Sequence, residues 1–299
     1  MTEQSPTVTV VIPTYNSSGT LRLSLETVLW QDFVDFEVWV VGDGCTDDSE
    51  TIVSSFGDTR VHWVNLPANS GAPSMPRNEA LRHARGRLVA YLGHDDLWFP
   101  WHLSELVDCI EKSNCDLAFS LGVMLGPEGA VGTFTLPKTA WDGRTAISPS
   151  NWLHRKNLIE VVGPWSSTIR IGDDRDFLQR VLAAKARLGF RRQLSVLKFP
   201  SMLWRMYSLT SNFPQSSYVE TMRHNASDLR LELLLNLARA MSLRKPALPR
   251  GTIRLPGPLR ALIEWSFDLY GRQRWPLNNF LYWYWRRISG LTGKKRMLD

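Results

Sequence analysis

Tyr91-Leu92-Gly93-His94-Asp95-Asp96-Leu97-Trp98-Phe99-Pro100 is the stretch on which the reading of the chain turns. The apolar run at 88–92 predicts a buried strand, which ends on two adjacent carboxylates before a helix opened by Pro100. Carboxylates at the carboxyl end of a parallel strand stand where open α/β sheets bind ligands. Hard oxygen donors at that place suit a Mg²⁺ or Mn²⁺ ion that is itself bound to phosphate.

Strands and helices alternate on both sides of this stretch. Towards the N-terminus, 7–12, 36–41 and 60–64 read as strands. A helical face of Leu21, Leu25, Val28 and Leu29 follows the first strand, with Asn16, Ser17 or Ser18 as its cap, and 73–85 reads as a second helix. Towards the C-terminus, 100–112 predicts a helix and 116–120 a strand. Such alternation means a mostly parallel sheet with right-handed crossovers, an α/β fold. From 121 to 151 the pattern breaks into hairpins and loops around Gly126-Pro127 and Asp142-Gly143. Beyond it, 174–188 reads as a helix ended by Gly189, 195–199 and 203–207 as short strands, and 225–243 as a leucine-rich helix. The proline-rich segment 245–258 reads as a linker or wrapping segment.

Composition bounds the class. An apolar content of 43% over 299 residues is ample for a core and excludes a disordered chain. Cys45, Cys109 and Cys115 are odd in number and lack CxxC spacing, so a reducing compartment is expected rather than a disulfide framework or zinc site. The start of the chain has no signal pattern, and no window approaches the roughly 20 apolar residues of a membrane span. A soluble intracellular protein is the expectation. The net charge of +6 is uneven: residues 244–299 hold 12 Lys/Arg against 3 Asp/Glu, and residues 1–243 hold 23 against 26. The basicity therefore belongs to the tail.

Five motifs in order carry a family resemblance: Val10-Val11-Ile12-Pro13-Thr14-Tyr15-Asn16, Gly42-Asp43-Gly44-Cys45-Thr46-Asp47, Asn69-Ser70-Gly71 with Pro76-Arg77-Asn78-Glu79-Ala80-Leu81, His94-Asp95-Asp96, and Gly172-Asp173-Asp174 followed by Arg180. Together they resemble the inverting nucleotide-sugar glycosyltransferases of family 2, over residues 7–210. The resemblance implies a GT-A fold, with a catalytic domain over 1–215 and a helical, basic and aromatic extension over 216–299. It also implies an enzyme that moves a sugar from a nucleoside diphosphate donor, with UDP the expected nucleotide, to a hydroxyl acceptor in surface polysaccharide or glycolipid synthesis.

The residue roles that follow agree with simple chemistry. Pro13 and Tyr15 end the first strand, where an aromatic ring can stack on a nucleobase. Asp43 ends the second strand, where a carboxylate can accept from a base or ribose; Gly42 replaces the first acidic residue of the family pattern. Arg77, near a helix start, suits a diphosphate. Asp95 matches the metal-binding second Asp of the family's Asp-x-Asp motif, with Gly93 in the first position, and Mn²⁺ or Mg²⁺ is the implied cofactor. Asp96 orients Asp95 or caps the next helix, and His94 reaches the ribose or donor sugar or simply packs. Asp174, beside Asp173, matches the catalytic base, which an acceptor hydroxyl needs in order to attack. The same two carboxylates also suit a helix start by charge alone. Arg205 is a candidate phosphate contact, and the histidine that the family often places beside it is missing.

The tail mixes Trp265, Tyr270, Trp275, Tyr282, Trp283, Tyr284 and Trp285 with Arg260, Arg272, Arg274, Arg286 and Arg287. An anionic membrane surface and a helical cap on the domain both fit that mixture, and nucleic acid fits it less well. A cytoplasmic enzyme working at the inner face of the plasma membrane is the expectation. The rivals are a polyprenyl-phosphate glycosyltransferase, a catalytically degenerate nucleotide-sugar module, and a nucleotidyltransferase. The last expects a glycine-rich loop after the first strand, which 13–19 does not supply.

Overall fold

In the computed structural model, the described residues are 5–127, 129–133, 147–204, 206, 209, 211–243 and 258. They form a nine-stranded sheet in the order β3-β2-β1-β4-β8-β6-β9-β5, with β7 hairpinned onto β6. The strands are β1 Val8–Thr14, β2 Phe36–Gly42, β3 Val61–Asn65, β4 Leu88–Tyr91, β5 Leu97–Trp98, β6 Leu117–Gly126, β7 Gly129–Thr133, β8 Trp152–Arg155 and β9 Leu188–Lys198. The helices are α1 Ser18–Leu29, α2 Ser49–Ser54, α3 Ser74–His83, α4 His102–Ser113, α5 Leu158–Val162, α6 Asp173–Ala183, α7 Ser201–Trp204 and α8 Pro214–Leu243. This is a mixed α/β, GT-A type architecture with helices on both faces of the sheet.

Strand alternation sorts the side chains into two layers. Val8, Val10 and Ile12 of β1 pack with Leu21, Leu25, Leu103 and Ile110 of α1 and α4. Val11, between them, points the other way, into a core with Ala80, Leu158, Phe177 and Val181 of α3, α5 and α6. Both faces are thus covered, as parallel strands require. The strands β3-β2-β1-β4 are mutually parallel. β8 runs antiparallel to both β4 and β6, and β9 is parallel to β6. The carboxyl ends of β1, β2, β4, β6 and β9 therefore open on one edge of the sheet, together with the amino end of β8.

Several local expectations change. The hairpin expected around Gly126-Pro127 is present as β6–β7, and residues 121–126 extend β6 into it, their backbone paired with β7 and β9. The helix expected over 174–188 ends at Ala183, and Leu188 and Gly189 belong to β9. Gly189 is a close-packing residue there: a Cβ on it would lie 2.8 Å from Cys109 Sγ and 2.7 Å from Cys115 Sγ. Of the short strand expected at 203–207, residues 203–204 belong to the helical turn α7, and 205 and 207 lie outside the described residues. The helix expected over 225–243 is the second half of α8: a first helical segment from Pro214 is broken at Asn225 (φ −157°, ψ 74°), whose Oδ1 accepts from the Asp228 N–H at 3.2 Å as the second segment starts. Its Tyr218, Val219, Met222, Leu229 and Leu233 share a core with Leu97, Val123 and Leu197 of β5, β6 and β9 and with Phe99 just after β5. Arg205 and the aromatic stretch 259–290 lie outside the described residues. Among those described, no helix is long and apolar enough to cross a membrane.

Candidate active site

The carboxyl edge of the sheet encloses a cleft of about 500 Å³, lined among others by Pro13, Tyr15, Asp43, Arg77, His94, Asp95 and Lys198. Parallel register brings these segments together: Val11 pairs with Tyr91, and Thr14 pairs with Gly42. Tyr15, 41% exposed, has its ring available for stacking. Asp43 is buried, and both of its carboxylate oxygens accept from Ser70, at 3.0 and 3.1 Å from the backbone N–H and 3.0 Å from the hydroxyl. It therefore anchors the 69–72 loop as well as lining the cleft. Gly42 has a spatial cause, since a Cβ there would lie 2.5 Å from Asn65 Oδ1. Asn65 is fixed by bonds to both the N–H and the C=O of Cys45, at 2.8 and 2.9 Å.

The 93–96 turn is tied down by groups from all over the chain. His94 Nδ1 donates to the Pro13 carbonyl at 3.3 Å, and Gln215 Nε2 donates to the Asp95 carbonyl at 2.9 Å. Ser24 Oγ donates to the Asp96 carbonyl at 2.8 Å. The carboxylate of Asp95 faces the cleft and accepts from Ser201 Oγ at 3.0 Å. Asp96 is fully buried, and its Oδ2 takes both Ser150 Oγ and Lys198 Nζ at 2.5 Å. Burial raises the Asp96 pKa, against the pull of Lys198. Burial pushes Lys198 down, but Asp96, Asp95 and Asp174 outweigh it and hold the ammonium above the usual lysine range. Gly93 is required by this crowding: a Cβ would stand 2.9 Å from Asp96 Oδ2 and 3.2 Å from Asp95 Oδ1.

Asp173 and Asp174 open α6 after Gly172, which adopts φ +83°. Asp173 is buried against Arg77, Nη1 to Oδ2 2.6 Å, and the guanidinium lies 4.3 Å from the Trp165 ring. Burial raises Asp173 and lowers Arg77 from their ordinary values, each opposed by the other's charge. The sequence reading offered Arg77 to a diphosphate; the structure commits its Nη1 to Asp173, because a buried carboxylate needs a cation more than a solvated phosphate does. Asp174 is half-buried beside this pair, and its carboxylate accepts from the Arg175 N–H at 2.8 Å. Neither Asp173 nor Asp174 is part of the cleft wall itself. Arg180 holds Asp176 and the Val162 and Gly163 carbonyls, so it braces α6 against the end of α5. Beneath Arg77, Trp165 Nε1 donates to Tyr91 Oη at 3.2 Å, which donates to His154 Nε2 at 3.0 Å. His154 Nδ1 donates to the Arg155 carbonyl at 2.8 Å, fixing the tautomer.

Metal fit follows from the donor set. Among the described residues no group of three or more His, Cys, Asp or Glu side chains could hold an ion. Of the two carboxylates lining the cleft, Asp43 already accepts from Ser70 with both oxygens, and Asp95 is the hard oxygen donor offered to an ion. That fits a Mg²⁺-like ion whose shell is completed by substrate oxygens and water. Lys198, Ser150, Ser201 and Gln215 were missed by motif reading. A lysine ending the buried strand Ser195-Val196-Leu197-Lys198 was the available signal, since strands rarely bury a lysine without a partner.

Residues 9–157 match the model of the family described as "Glycosyl transferase family 2". They carry a family 2 glycosyltransferase domain. In sequence the chain is similar to the Escherichia coli UDP-Glc:alpha-D-GlcNAc-diphosphoundecaprenol beta-1,3-glucosyltransferase WfgD, 29% identical over 131 residues, covering 44% of this chain and 51% of that one. The chain spans about half the length of the curated relatives it matches. In fold it is similar to residues 1–349 of S. aureus TarS, solved in complex with UDP-GlcNAc, at TM-score 0.58 and 21% identity, over 80% of this chain and 74% of that one. It is also similar to the mannosyltransferase PcManGT from Pyrobaculum calidifontis in complex with GDP-Man and Mn²⁺, at TM-score 0.52 and 16% identity, over 98% of this chain and 77% of that one. These likenesses bear out the GT-A architecture.

Proposed function

We propose that the protein is an inverting glycosyltransferase that moves a sugar from a nucleoside diphosphate donor, UDP first among them, to a hydroxyl of a lipid-linked or polysaccharide acceptor. The observation that carries this is the gathering of Tyr15, Asp43 and Asp95 in one cleft, with Asp174 close enough to Lys198 to stabilise its charge. Tyr15 stacks on the base, Asp43 and His94 border the ribose, and Asp95 faces the diphosphate. A Mg²⁺ or Mn²⁺ ion held by Asp95 supplies charge neutralisation for the departing diphosphate. Asp174 takes the proton of the acceptor hydroxyl as that oxygen attacks the anomeric carbon and the bond to the diphosphate breaks, which inverts the configuration. The Arg77–Asp173 pair holds the start of α6, and so holds Asp174. A lipid-carried acceptor is supported by the name of the E. coli relative, and with such an acceptor the reaction would run at a membrane face.

The test is donor hydrolysis and transfer across a panel of nucleotide sugars, with Mn²⁺, Mg²⁺ or EDTA. The expected result is release of one nucleoside diphosphate that needs the metal and is lost in Asp95→Ala. Nucleotide binding without turnover on any acceptor, unaltered by Asp174→Asn, would overturn the reading and leave a binding module.

A further inference from the structure

Two long basic side chains line the cleft, Arg77 and Lys198, and they are placed differently. Arg77 is enclosed between Asp173 and the face of Trp165, with 10% of its side chain exposed. Lys198 stands on the cleft wall with 19% exposed, at the carboxyl end of β9, and Asp96 Oδ2 takes its ammonium at 2.5 Å. Asp96 is itself fixed by Ser150 and by its Ser24-bound carbonyl, so the lysine head is anchored and its rotamer entropy is already spent. Asp95 shares this wall with it, and the charge of Asp174 is also felt by the ammonium, so an incoming dianionic diphosphate would meet uncompensated negative charge here without Lys198. An ammonium is a point charge with three donors, suited to phosphate oxygens.

We propose that Lys198 is a built-in cation of the donor site, which contacts the diphosphate of the nucleotide and gives binding a component that needs no metal. The inference rests on the donor reading above. The bland alternative is that Lys198 does no more than neutralise Asp96.

Calorimetric titration with uridine, UMP and UDP in EDTA separates the two. Asp96→Asn is the reference, and the Asp96→Asn/Lys198→Met double variant removes the ammonium without stranding a buried carboxylate. Relative to the reference, the double variant should bind UDP about 10- to 100-fold more weakly, the size of one charge-assisted hydrogen bond, and uridine equally well. Lys198→Arg in the wild-type background should keep most of the UDP affinity. Equal UDP affinity in reference and double variant, or an equal loss for uridine and UDP, would overturn the proposal. A thermal melt of the double variant with the wild-type transition assigns any loss to the site rather than to unfolding. Should the wild type bind none of UDP, GDP, dTDP and ADP, the donor reading falls, and this inference with it. A wild type that binds UDP while the lysine variant is unchanged removes this inference alone.

Discussion

The Asp95–Asp96 and Asp173–Asp174 pairs are built alike and used differently. In each, one carboxylate is buried against a basic side chain from a distant segment, 102 residues away for Asp96 and 96 for Asp173. The other member, Asp95 or Asp174, stays half-buried. The pairs differ in their cations. Arg77 is a planar group clamped between a carboxylate and an indole face, a good arrangement for a structural clasp. Lys198 is a compact charge on the wall of the cleft. Burial of one partner in a carboxylate pair therefore serves two ends: it fixes the direction of its neighbour, and it decides whether the matching cation is spent on the fold or shared with a ligand.

The comparison breaks most visibly at Asp174. Asp174→Asn should lower transfer by about 10²- to 10⁴-fold, the range for loss of a general base, while UDP affinity in calorimetry stays within twofold. Equal loss of binding and turnover would show that the second pair belongs to the donor site. Next, Arg77→Met should destabilise the fold by about 3–5 kcal/mol in denaturant unfolding, because Asp173 is left buried without its cation. Adding Asp173→Asn should recover most of that. No recovery would mean that Arg77 acts through Trp165 rather than through charge.

A subtler test concerns two buried histidines, His154 in the layer under the second pair and His102 on α4 against Trp98 and Ser195. Burial holds His154 at about 4 and His102 at about 3, below the ordinary 6.5. Between their folded values and 6.5 the unfolded chain binds more protons, so this part of the stability is present above 6.5 and is lost as pH falls towards 4. Asp96 and Asp173 are raised instead, so their ionisation works in the opposite sense as pH climbs through their shifted values. His154→Gln can keep both hydrogen bonds, and it should flatten the fall in melting temperature between pH 6.5 and 4. An unchanged slope would remove His154 from the acid response. The smallest effect is expected at Ser201→Ala, which takes one hydrogen bond from Asp95. A loss of about 0.5–1.5 kcal/mol in metal-supported UDP binding, read by calorimetry, is the size of such a bond.

Much of this was legible in the residues. The runs at 7–12, 36–41 and 88–92 are largely apolar, the mark of central parallel strands buried on both faces, with the polar Thr9 and Glu37 bonded to each other, and they announce the sheet that forms. Gly172-Asp173-Asp174 reads directly as a helix start, because charge at a helix N-terminus is a local matter. The hairpin around Gly126-Pro127 was legible as well, while the length of the strand that leads into it was not. Residues 121–126 have glycine at both Gly122 and Gly126, and their strand state comes in large part from β9, a partner about 70 residues away by the register of Leu121 with Leu194, which no local window contains. Gly189 misled for the same reason: its small size answers to two sulfurs packed against it, while a glycine after a helical pattern suggests a cap.

By itself, then, the sequence determined the order of strands and helices, the edge where carboxylates gather, and which acids occupy it. Those are consequences of periodicity and of short-range chemistry. Only the tertiary structure decided which acid of each pair is buried and which faces outward, and that Lys198 and Arg77 are the cations set against them. It also decided that Gly42 and Gly93 stand where no side chain has room. Each of these depends on contacts between segments far apart in the chain, and a charge is assigned its partner only when folding has removed the water that would otherwise solvate both.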